Sequence, residues 1–212
     1  MTLPRIYPIL DTETLFNRGI GVELAAAAFL DGGASILQFR HKNHWSREIF
    51  ATAQEVARMC REAGVPLVIN DRADFALLLG VGLHIGQDDL PPRDARKLLG
   101  SEGFLGFSSH NVNQLCAAGG EPVDYVALGP VFATASKRNP DPVVGVEEVQ
   151  RCRALLDKPL VAIGGITREN IADVIRAGAD SVALISGLLP ESATPASLRQ
   201  RMEEWQQLAK QA

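Results

Sequence analysis

Short apolar runs rich in β-branched residues recur at regular intervals along the chain. Most of them are continuous apolar stretches rather than alternations of apolar and polar residues, a pattern typical of strands covered on both faces. This pattern favours a parallel sheet. The runs predict eight strands, at residues 6–10, 35–39, 66–70, 82–86, 104–108, 125–129, 159–165 and 181–186.

Amphipathic helical spacing fills the segments between the apolar runs. Between Ser46 and Gly64, for example, apolar residues recur every three or four positions and so share one face of a helix. Ser46 is a suitable N-cap and Gly64 a suitable stop. Comparable helices are predicted between most of the other runs, and a last helix is predicted near residues 196–209.

The alternation of eight β and α units predicts a single (β/α)8 TIM barrel, more compact than the typical length of about 250 residues because its loops are short. An open, doubly wound sheet is the alternative. No linker rich in Pro, Gly or Ser divides the chain, so one domain is expected over residues 1–212. The longest irregular connection, residues 129–145, is a candidate lid, because long connections in tight folds are usually functional.

Composition narrows the classes of partner. The chain has 212 residues, 46% of them hydrophobic, with 21 basic and 25 acidic side chains and a net charge of −4. It contains no basic block that would indicate a nucleic acid or a membrane surface as partner. No apolar stretch approaches the roughly 18 residues of a membrane span, and a cytoplasmic location is expected. A homo-oligomer is compatible with these features but not required by them.

The three cysteines are widely spaced and odd in number, at Cys60, Cys116 and Cys152. This arrangement suggests neither a disulfide framework nor a zinc site. We expect buried or half-buried free thiols.

Polar residues follow almost every predicted strand. In a barrel of this kind the active site lies at the carboxyl ends of the strands, so these residues are expected to meet at one rim. They include Asp11, Gln38, Arg40, Lys42, Asn70, Asp71, Asp89, Ser108, His110 and Lys137.

Two kinds of charged group stand out at this rim. Arg40 and Lys42 are two residues apart at a strand end and can present a forked and a compact cation to a phosphate, although two solvated surface charges would have the same spacing. Asp71 and Asp89 offer the oxygen ligands that Mg2+ prefers when it bridges carboxylates to substrate phosphates. Helix capping is the alternative for these acids, and Asp71 does precede a predicted helix.

Glycines stand at the carboxyl ends of the last two predicted strands, at Gly164, Gly165 and Gly187. Barrels often bind a phosphate at this place through backbone amides, although a Gly-Gly pair is also consistent with a tight turn. A second anion site separate from the charged one indicates a reaction that joins two phosphorylated molecules.

Seven ordered motifs resemble those of the thiamine phosphate synthase family over nearly the whole chain. They are QFRHK (38–42), INDR (69–72), HIGQDDLP (84–91), GFSSHN (106–111), LGPVFATASK (128–137), AIGGIT (162–167) and ALIS (183–186). Within them, Phe39, Ala133 and Ser136 differ from the residues common in the family. The segment 138–145 matches only loosely.

The resemblance implies a (β/α)8 fold and a Mg2+-dependent transferase. The reaction would couple 4-amino-2-methyl-5-(diphosphooxymethyl)pyrimidine with a phosphorylated hydroxyethyl thiazole, giving thiamine phosphate and diphosphate. The pyrimidine diphosphate would contact Gln38, Arg40, Lys42, Asn70, Ser108 and Lys137, of which Arg40, Lys42, Ser108 and Lys137 would act in catalysis. Asp71 and Asp89 would bind Mg2+. The thiazole phosphate would contact Thr134, Ala135, Ser136, Gly165, Ile185 and Ser186.

Two other functions stay open at this point. A thiazole tautomerase would share the barrel and would need His110 for proton transfer, whereas a structural histidine hydrogen-bonded at a strand end is the simpler interpretation of that residue. His84 is expected to pack at the fourth strand. A non-catalytic protein that binds thiamine precursors is the third possibility, but it would have no need for the whole set of metal and diphosphate residues.

Overall fold

The computed structural model describes residues 3–134 and 141–212, and within them it contains a closed barrel of eight parallel strands in the order β1 to β8. The first strand pairs with the last, with Ile6 opposite Val182. This pairing excludes the open, doubly wound sheet and confirms the TIM barrel. The strands are β1 (Ile6–Asp11), β2 (Leu37–Arg40), β3 (Leu67–Asn70), β4 (Gly82–Ile85), β5 (Leu105–Ser109), β6 (Tyr125–Leu128), β7 (Leu160–Ile163) and β8 (Ser181–Leu184).

Helices surround the barrel, and each predicted helix is present. The helices of the described residues are α1 (Thr12–Asn17), α2 (Val22–Asp31), α3 (Arg47–Glu62), α4 (Ala73–Leu79), α5 (Pro92–Leu99), α6 (Val112–Gly119), α7 (Val146–Leu155), α8 (Ile171–Arg176) and α9 (Pro195–Gln211). A 3-10 helix covers Ser186–Leu188. The pattern did not predict the short α1, which begins directly after β1 because the Asp11 side chain accepts a hydrogen bond from the Thr14 amide, at 2.9 Å.

The last two strands end earlier than the apolar pattern predicted. The predicted runs extend to residues 165 and 186, but β7 ends at Ile163 and β8 at Leu184. Gly164 and Gly165 have φ values of +100° and +62°, in the left-handed region that extended strands do not enter. The chain therefore turns after β7 instead of extending the sheet, and after β8 the 3-10 helix begins at Ser186.

The core has two layers because the strands are buried on both faces. Inside the barrel, Tyr7, Val68, Tyr125 and Val161 belong to one apolar cluster. A larger cluster lies between the strands and the helices, and it includes the fully buried Trp205 of α9. This arrangement explains the continuous apolar runs of the sequence.

The cysteines follow the prediction with one exception. Cys60 and Cys152 are buried free thiols, whereas Cys116 is exposed, so the expectation of burial was wrong there. Cys116 lies on the outward face of α6, while Leu115 beside it is buried. Within residues 3–134 and 141–212, no helix has the length and apolar character to cross a bilayer.

Candidate active site

A pocket of about 170 Å³ opens at the carboxyl ends of the strands. Its walls contain most of the residues predicted from the sequence. They are Gln38, Arg40, Lys42, Asn70, Asp71, Ser108, Thr134, Gly165, Ile185 and Ser186. Asp89 does not line the pocket but lies beside Asp71. Ala135, Ser136 and Lys137 lie outside the described residues.

Arg40 is held by a carboxylate that the sequence interpretation did not assign. Its guanidinium forms an ion pair with Asp11, and the two side chains are only 13% and 4% exposed. The other oxygen of Asp11 accepts hydrogen bonds from the amide and hydroxyl of Thr14. One side chain therefore caps α1 and orients the cation at the end of β2. An acid at a strand end with Thr three residues later was an available N-cap signal.

Lys42 contacts Asp71 across the pocket entrance, with 2.5 Å between Nζ and Oδ2. Asp71 does not cap the helix that follows it. The N-cap of α4 is Arg72, which makes no side-chain capping bond, so the capping interpretation of Asp71 is wrong. Asp71 instead has a φ of +67°, a left-handed conformation that is uncommon outside glycine. Such strain at a pocket is typical of functional positions.

The environment of Asp71 combines burial with a second acid. Burial raises the pKa of the Asp71 carboxyl, the Lys42 ammonium lowers it, and the neighbouring Asp89 carboxylate raises it again. One Asp89 oxygen accepts a hydrogen bond from the Gly86 amide at 2.7 Å. The two carboxylates thus face each other while their mutual repulsion is only partly compensated.

This pair of acids fits a hard divalent cation. Among the described residues no group of three His, Cys, Asp or Glu side chains converges, so protein side chains alone would give a two-carboxylate site. Mg2+ typically binds through one or two carboxylates and completes its coordination with water and substrate phosphate oxygens. Asp71 and Asp89 are the residues that would hold it.

Asn70 presents a buried donor to the pocket. Its side chain is 5% exposed, and Nδ2 has no hydrogen-bond partner among the described residues. A buried amide without a partner costs stability, so an acceptor is expected to satisfy it when the site is filled. A phosphate oxygen or a ring nitrogen would serve.

A hydrogen-bonded chain runs below the pocket floor inside the barrel. Gln38 Nε2 donates to the Tyr7 hydroxyl at 3.2 Å, and the Tyr7 and Tyr125 hydroxyls are 3.0 Å apart. His84 Nδ1 lies 2.8 Å from the Tyr125 hydroxyl, and His84 Nε2 lies 2.8 Å from Ser108 Oγ. His84 packs at β4 as predicted, but its polar contacts and the two tyrosines were missed because they depend on strand register.

Glycines after β7 form another part of the pocket wall. A Cβ at Gly164 would lie 2.6 Å from the Pro130 Cα, and one at Gly165 would lie 2.4 Å from the Ala133 carbonyl oxygen. The Phe132 amide donates to the Gly164 carbonyl at 3.0 Å. The close approach explains why glycines occupy both positions. It brings the segment 129–134 against the turn after β7.

The candidate lid is anchored at both of its ends. The Val144 amide donates to the Pro130 carbonyl at 2.9 Å, and the Gly145 amide donates to the Val131 carbonyl at 3.1 Å. Residues 135–140 lie outside the described part of the chain. Closure of this loop stays a prediction.

His110 lies in the pocket wall at the end of β5. Its Nδ1 is 2.8 Å from the Gly129 carbonyl oxygen and 3.4 Å from an Asp141 carboxylate oxygen. A carbonyl only accepts hydrogen bonds, so Nδ1 carries a proton. This arrangement agrees with the structural interpretation of His110, while its place in the wall keeps it within reach of a ligand.

Comparisons with known proteins agree with this geometry. The sequence profile described as thiamine monophosphate synthase matches residues 6–188. A thiamine-phosphate synthase from Koribacter versatilis (strain Ellin345) is 47% identical over 98% of this chain and 97% of its own length. One from Chloroflexus aurantiacus is 38% identical over 92% and 90%. The solved thiamine phosphate pyrophosphorylase from Pyrococcus furiosus is 26% identical, with a TM-score of 0.84 over 98% of this chain and 96% of that one.

Proposed function

The chain belongs to the thiamine monophosphate synthase family and is a transferase. On this premise we propose that it catalyses the Mg2+-dependent coupling of 4-amino-2-methyl-5-(diphosphooxymethyl)pyrimidine with a phosphorylated hydroxyethyl thiazole. The products are thiamine phosphate and diphosphate. Both substrates are phosphorylated small molecules.

One observation carries the proposal: a single pocket joins two walls of different chemistry. The first wall carries the charged and amide side chains of Arg40, Lys42 and Asn70, at the ends of β2 and β3. The second is formed by residues after β7 and β8, among them Gly164, Gly165 and Gly187, which have no side chain to cover their amides. The first suits a diphosphate with its metal, and the second suits a phosphate monoester bound through amides. Two such walls in one pocket suit a reaction between two phosphorylated molecules.

The charges of the first wall favour a requirement for a metal ion. Arg40 and Lys42 are already paired with Asp11 and Asp71, and Asp89 adds a further negative charge. The described cluster therefore has no surplus of positive charge. A diphosphate monoester carries about three negative charges at neutral pH, by extension from a phosphate monoester. Mg2+ held by Asp71 and Asp89 would supply the missing positive charge and stabilise the departing diphosphate.

The side chains of the pocket position the substrates and stabilise charge. Departure of diphosphate from the pyrimidine methylene leaves a cation that the amino-substituted ring delocalises, and the thiazole nitrogen then captures it. Arg40, Lys42 and Asn70 donate hydrogen bonds to the leaving group, whose negative charge grows as the bond breaks. Such contacts are stronger in the transition state than in the ground state and therefore accelerate the step. Lys137, predicted from the sequence, would add a fourth donor.

The direct test combines purified protein, both phosphorylated precursors and Mg2+. We expect thiamine phosphate, detected after conversion to fluorescent thiochrome. Omitting either precursor, or chelating Mg2+ with EDTA, serves as the control and should abolish the signal. Absence of product in the complete mixture would refute the proposal and leave a non-catalytic binding protein as the better interpretation.

The presence of His110 in the pocket wall gives the tautomerase alternative a test of its own. The carboxylated thiazole phosphate is supplied alone, and double-bond migration is followed by proton NMR in deuterated water. We expect no turnover. Turnover that His110→Ala abolishes, together with no coupling when the pyrimidine is added, would favour the tautomerase.

A further inference from the structure

The hydrogen-bonded chain below the pocket has a direction. It runs from Gln38 through Tyr7, Tyr125 and His84 to Ser108, and each neighbouring pair is within hydrogen-bond distance. A hydroxyl group donates a single hydrogen, so the role of one member constrains the role of the next. The two ends of the chain, Gln38 and Ser108, both line the pocket.

The orientation of the Gln38 amide, with its nitrogen and not its oxygen toward the Tyr7 hydroxyl, sets this direction. Since Gln38 Nε2 donates to the Tyr7 oxygen, the Tyr7 hydrogen is available for the Tyr125 oxygen. Tyr125 then donates to His84 Nδ1, which requires a neutral imidazole protonated on Nε2. In the opposite direction, the Tyr7 hydrogen would point at the Gln38 amino group, which is a donor. Burying an unpaired donor there would cost stability.

The last step fixes the role of Ser108. His84 Nε2–H donates to Ser108 Oγ, so the Ser108 hydrogen is directed to another acceptor. Because Ser108 lies in the pocket wall, that acceptor is supplied by the ligand. We propose that Tyr7, Tyr125 and His84 are positioning residues that make Ser108 a hydrogen-bond donor to a substrate oxygen. The inference deepens the proposed function and rests on it for the identity of that oxygen, a phosphoryl oxygen of the leaving group.

The packing of Tyr125 shows that the hydrogen-bonded chain is part of the barrel interior. A Cβ at Gly106 would lie 2.0 Å from Tyr125 Cζ, so the ring occupies the space of a missing side chain. The ring stacks on His84 with centroids 5.5 Å apart and on Phe104 with centroids 5.2 Å apart. Burial raises the pKa of Tyr7 and of Tyr125, so both phenols keep their hydrogens near neutral pH.

The first test needs no substrate. The chain has four histidines, and the protein is labelled in them with the heavy nitrogen isotope for heteronuclear NMR. The His84 signals are assigned by their loss in His84→Gln. We expect the neutral ring with hydrogen on Nε2. A ring protonated on Nδ1 alone, or a charged ring, would overturn the proposal even if the coupling reaction is confirmed, and the result stands if coupling is absent.

The second test is a double-mutant cycle in single-turnover coupling. Tyr7 is connected to Ser108 through Tyr125 and His84. Tyr7→Phe is therefore expected to slow coupling about tenfold in the wild-type background, but less than about twofold in a Ser108→Ala background. Ser181→Ala removes a different buried hydroxyl of the barrel and should leave coupling and the His84 signals unchanged. Equal effects of Tyr7→Phe in both backgrounds would assign Tyr7 a structural role and overturn the inference. If Tyr7→Phe does not fold, Tyr125→Phe is used in its place.

Discussion

At the residue scale, the cations of the pocket are held by acids. Arg40 pairs with Asp11, and Lys42 pairs with Asp71. The sequence indicated both cations and the metal acids, but the ion pairs between them join residues 29 positions apart and depend on the alignment of β1 with β2 and of β2 with β3. Pairing keeps each cation in place before a substrate arrives, which lowers the entropic cost of binding.

The acid pair leads to a prediction about metal dependence. Asp89→Asn and Asp71→Asn each remove a charged oxygen ligand, so coupling at low Mg2+ should fall at least about tenfold. High Mg2+ should restore part of it. Coupling rates are measured across a Mg2+ titration, with Asp88→Asn as the exposed neighbouring control. Unchanged activity at low Mg2+ would reject Asp71 and Asp89 as ligands.

The environment of Asp71 predicts that this residue lowers the stability of the fold while it serves activity. Because the folded state raises the pKa of Asp71, it binds that proton more tightly than the unfolded state, and ionisation of Asp71 destabilises the fold. The contribution of Asp71 to the free energy of unfolding is therefore greatest at acidic pH. It is lost as the pH rises through the raised pKa of this carboxyl.

Asp71→Asn should then stabilise the metal-free protein at neutral pH. Asn is neutral and also tolerates the left-handed φ of +67°. We expect a gain of about 0.5–2 kcal/mol in the free energy of unfolding, accompanied by loss of coupling. Urea unfolding in EDTA at neutral and acidic pH measures it. The gain should shrink at acidic pH, and a loss of stability at neutral pH would contradict this account.

At the element scale, the strand ends decide where the pocket forms. The apolar pattern located all eight strands but extended β7 and β8 by two residues each at their carboxyl ends. Hydrophobicity does not record backbone conformation, and the turn after β7 depends on left-handed glycines packed against residues 130–133. The short α1 was missed for a related reason, since its apolar residues Leu15 and Phe16 are adjacent and show no helical period, whereas the equally short α8 has Ile171, Val174 and Ile175 on one face.

The close approach at Gly165 predicts a large effect of a single methyl group. Gly165→Ala places a Cβ 2.4 Å from the Ala133 carbonyl oxygen, at a φ of +62°. Gly80→Ala is a matched control, because Gly80 has a φ of +64° and nothing within 4 Å of its Cβ position. The control should lose about 1–2 kcal/mol from backbone strain alone.

Gly165→Ala should lose at least about 1 kcal/mol more than Gly80→Ala, since the segment 129–134 must move. Its KM for the thiazole phosphate should rise several-fold while that of the control is unchanged. Chemical denaturation and steady-state coupling measure the two effects. Equal stability losses in both variants would show that the contact relaxes without cost.

The candidate lid gives a prediction about timing. If residues 129–145 close over the bound pyrimidine, Lys137 contacts the diphosphate as its charge develops, so Lys137→Ala should lower kcat more than it weakens binding. The expected loss of transition-state stabilisation is about 2–4 kcal/mol. Single-turnover coupling checks it. Ser136→Thr is the control and should be nearly neutral, whereas a normal rate in Lys137→Ala would mean that this lysine is a solvated surface charge.

At the scale of the whole molecule, barrel closure brings distant segments to one mouth. Residues as far apart in sequence as Gln38 and Ser186 line one pocket, because the eight parallel strands end at the same rim. The net charge of −4 opposes the binding of anions, so local pairing and a metal must provide the attraction.

Stabilisation of the protein by a bound ligand tests whether a metal ion provides the attraction for anions. Inorganic pyrophosphate with Mg2+ should stabilise the protein by about 2.7 kcal/mol at a concentration of roughly 100 times its Kd. With EDTA the effect should be small, because Arg40 and Lys42 are already paired with acids. Thermal unfolding provides the measurement, and Asp89→Asn should lose the Mg2+-dependent part. Equal stabilisation with and without Mg2+ would contradict the proposed role of the metal.

The sequence by itself determined the eight parallel strands, the order of the elements and the end of the strands to which the polar residues belong, whereas the pairing of β1 with β8 decided for a closed barrel over an open sheet. The features determined by the sequence follow from local properties: the period of apolar residues, the caps, and the rule that parallel strands of a barrel end at one face. The tertiary structure alone decided which side chains meet. Asp11 with Arg40, and Tyr7 with Tyr125, lie far apart in sequence and become neighbours through strand register. Burial and backbone conformation then decided that Asp71 faces Lys42 and Asp89 instead of capping a helix, because both properties depend on atoms contributed by other segments of the chain.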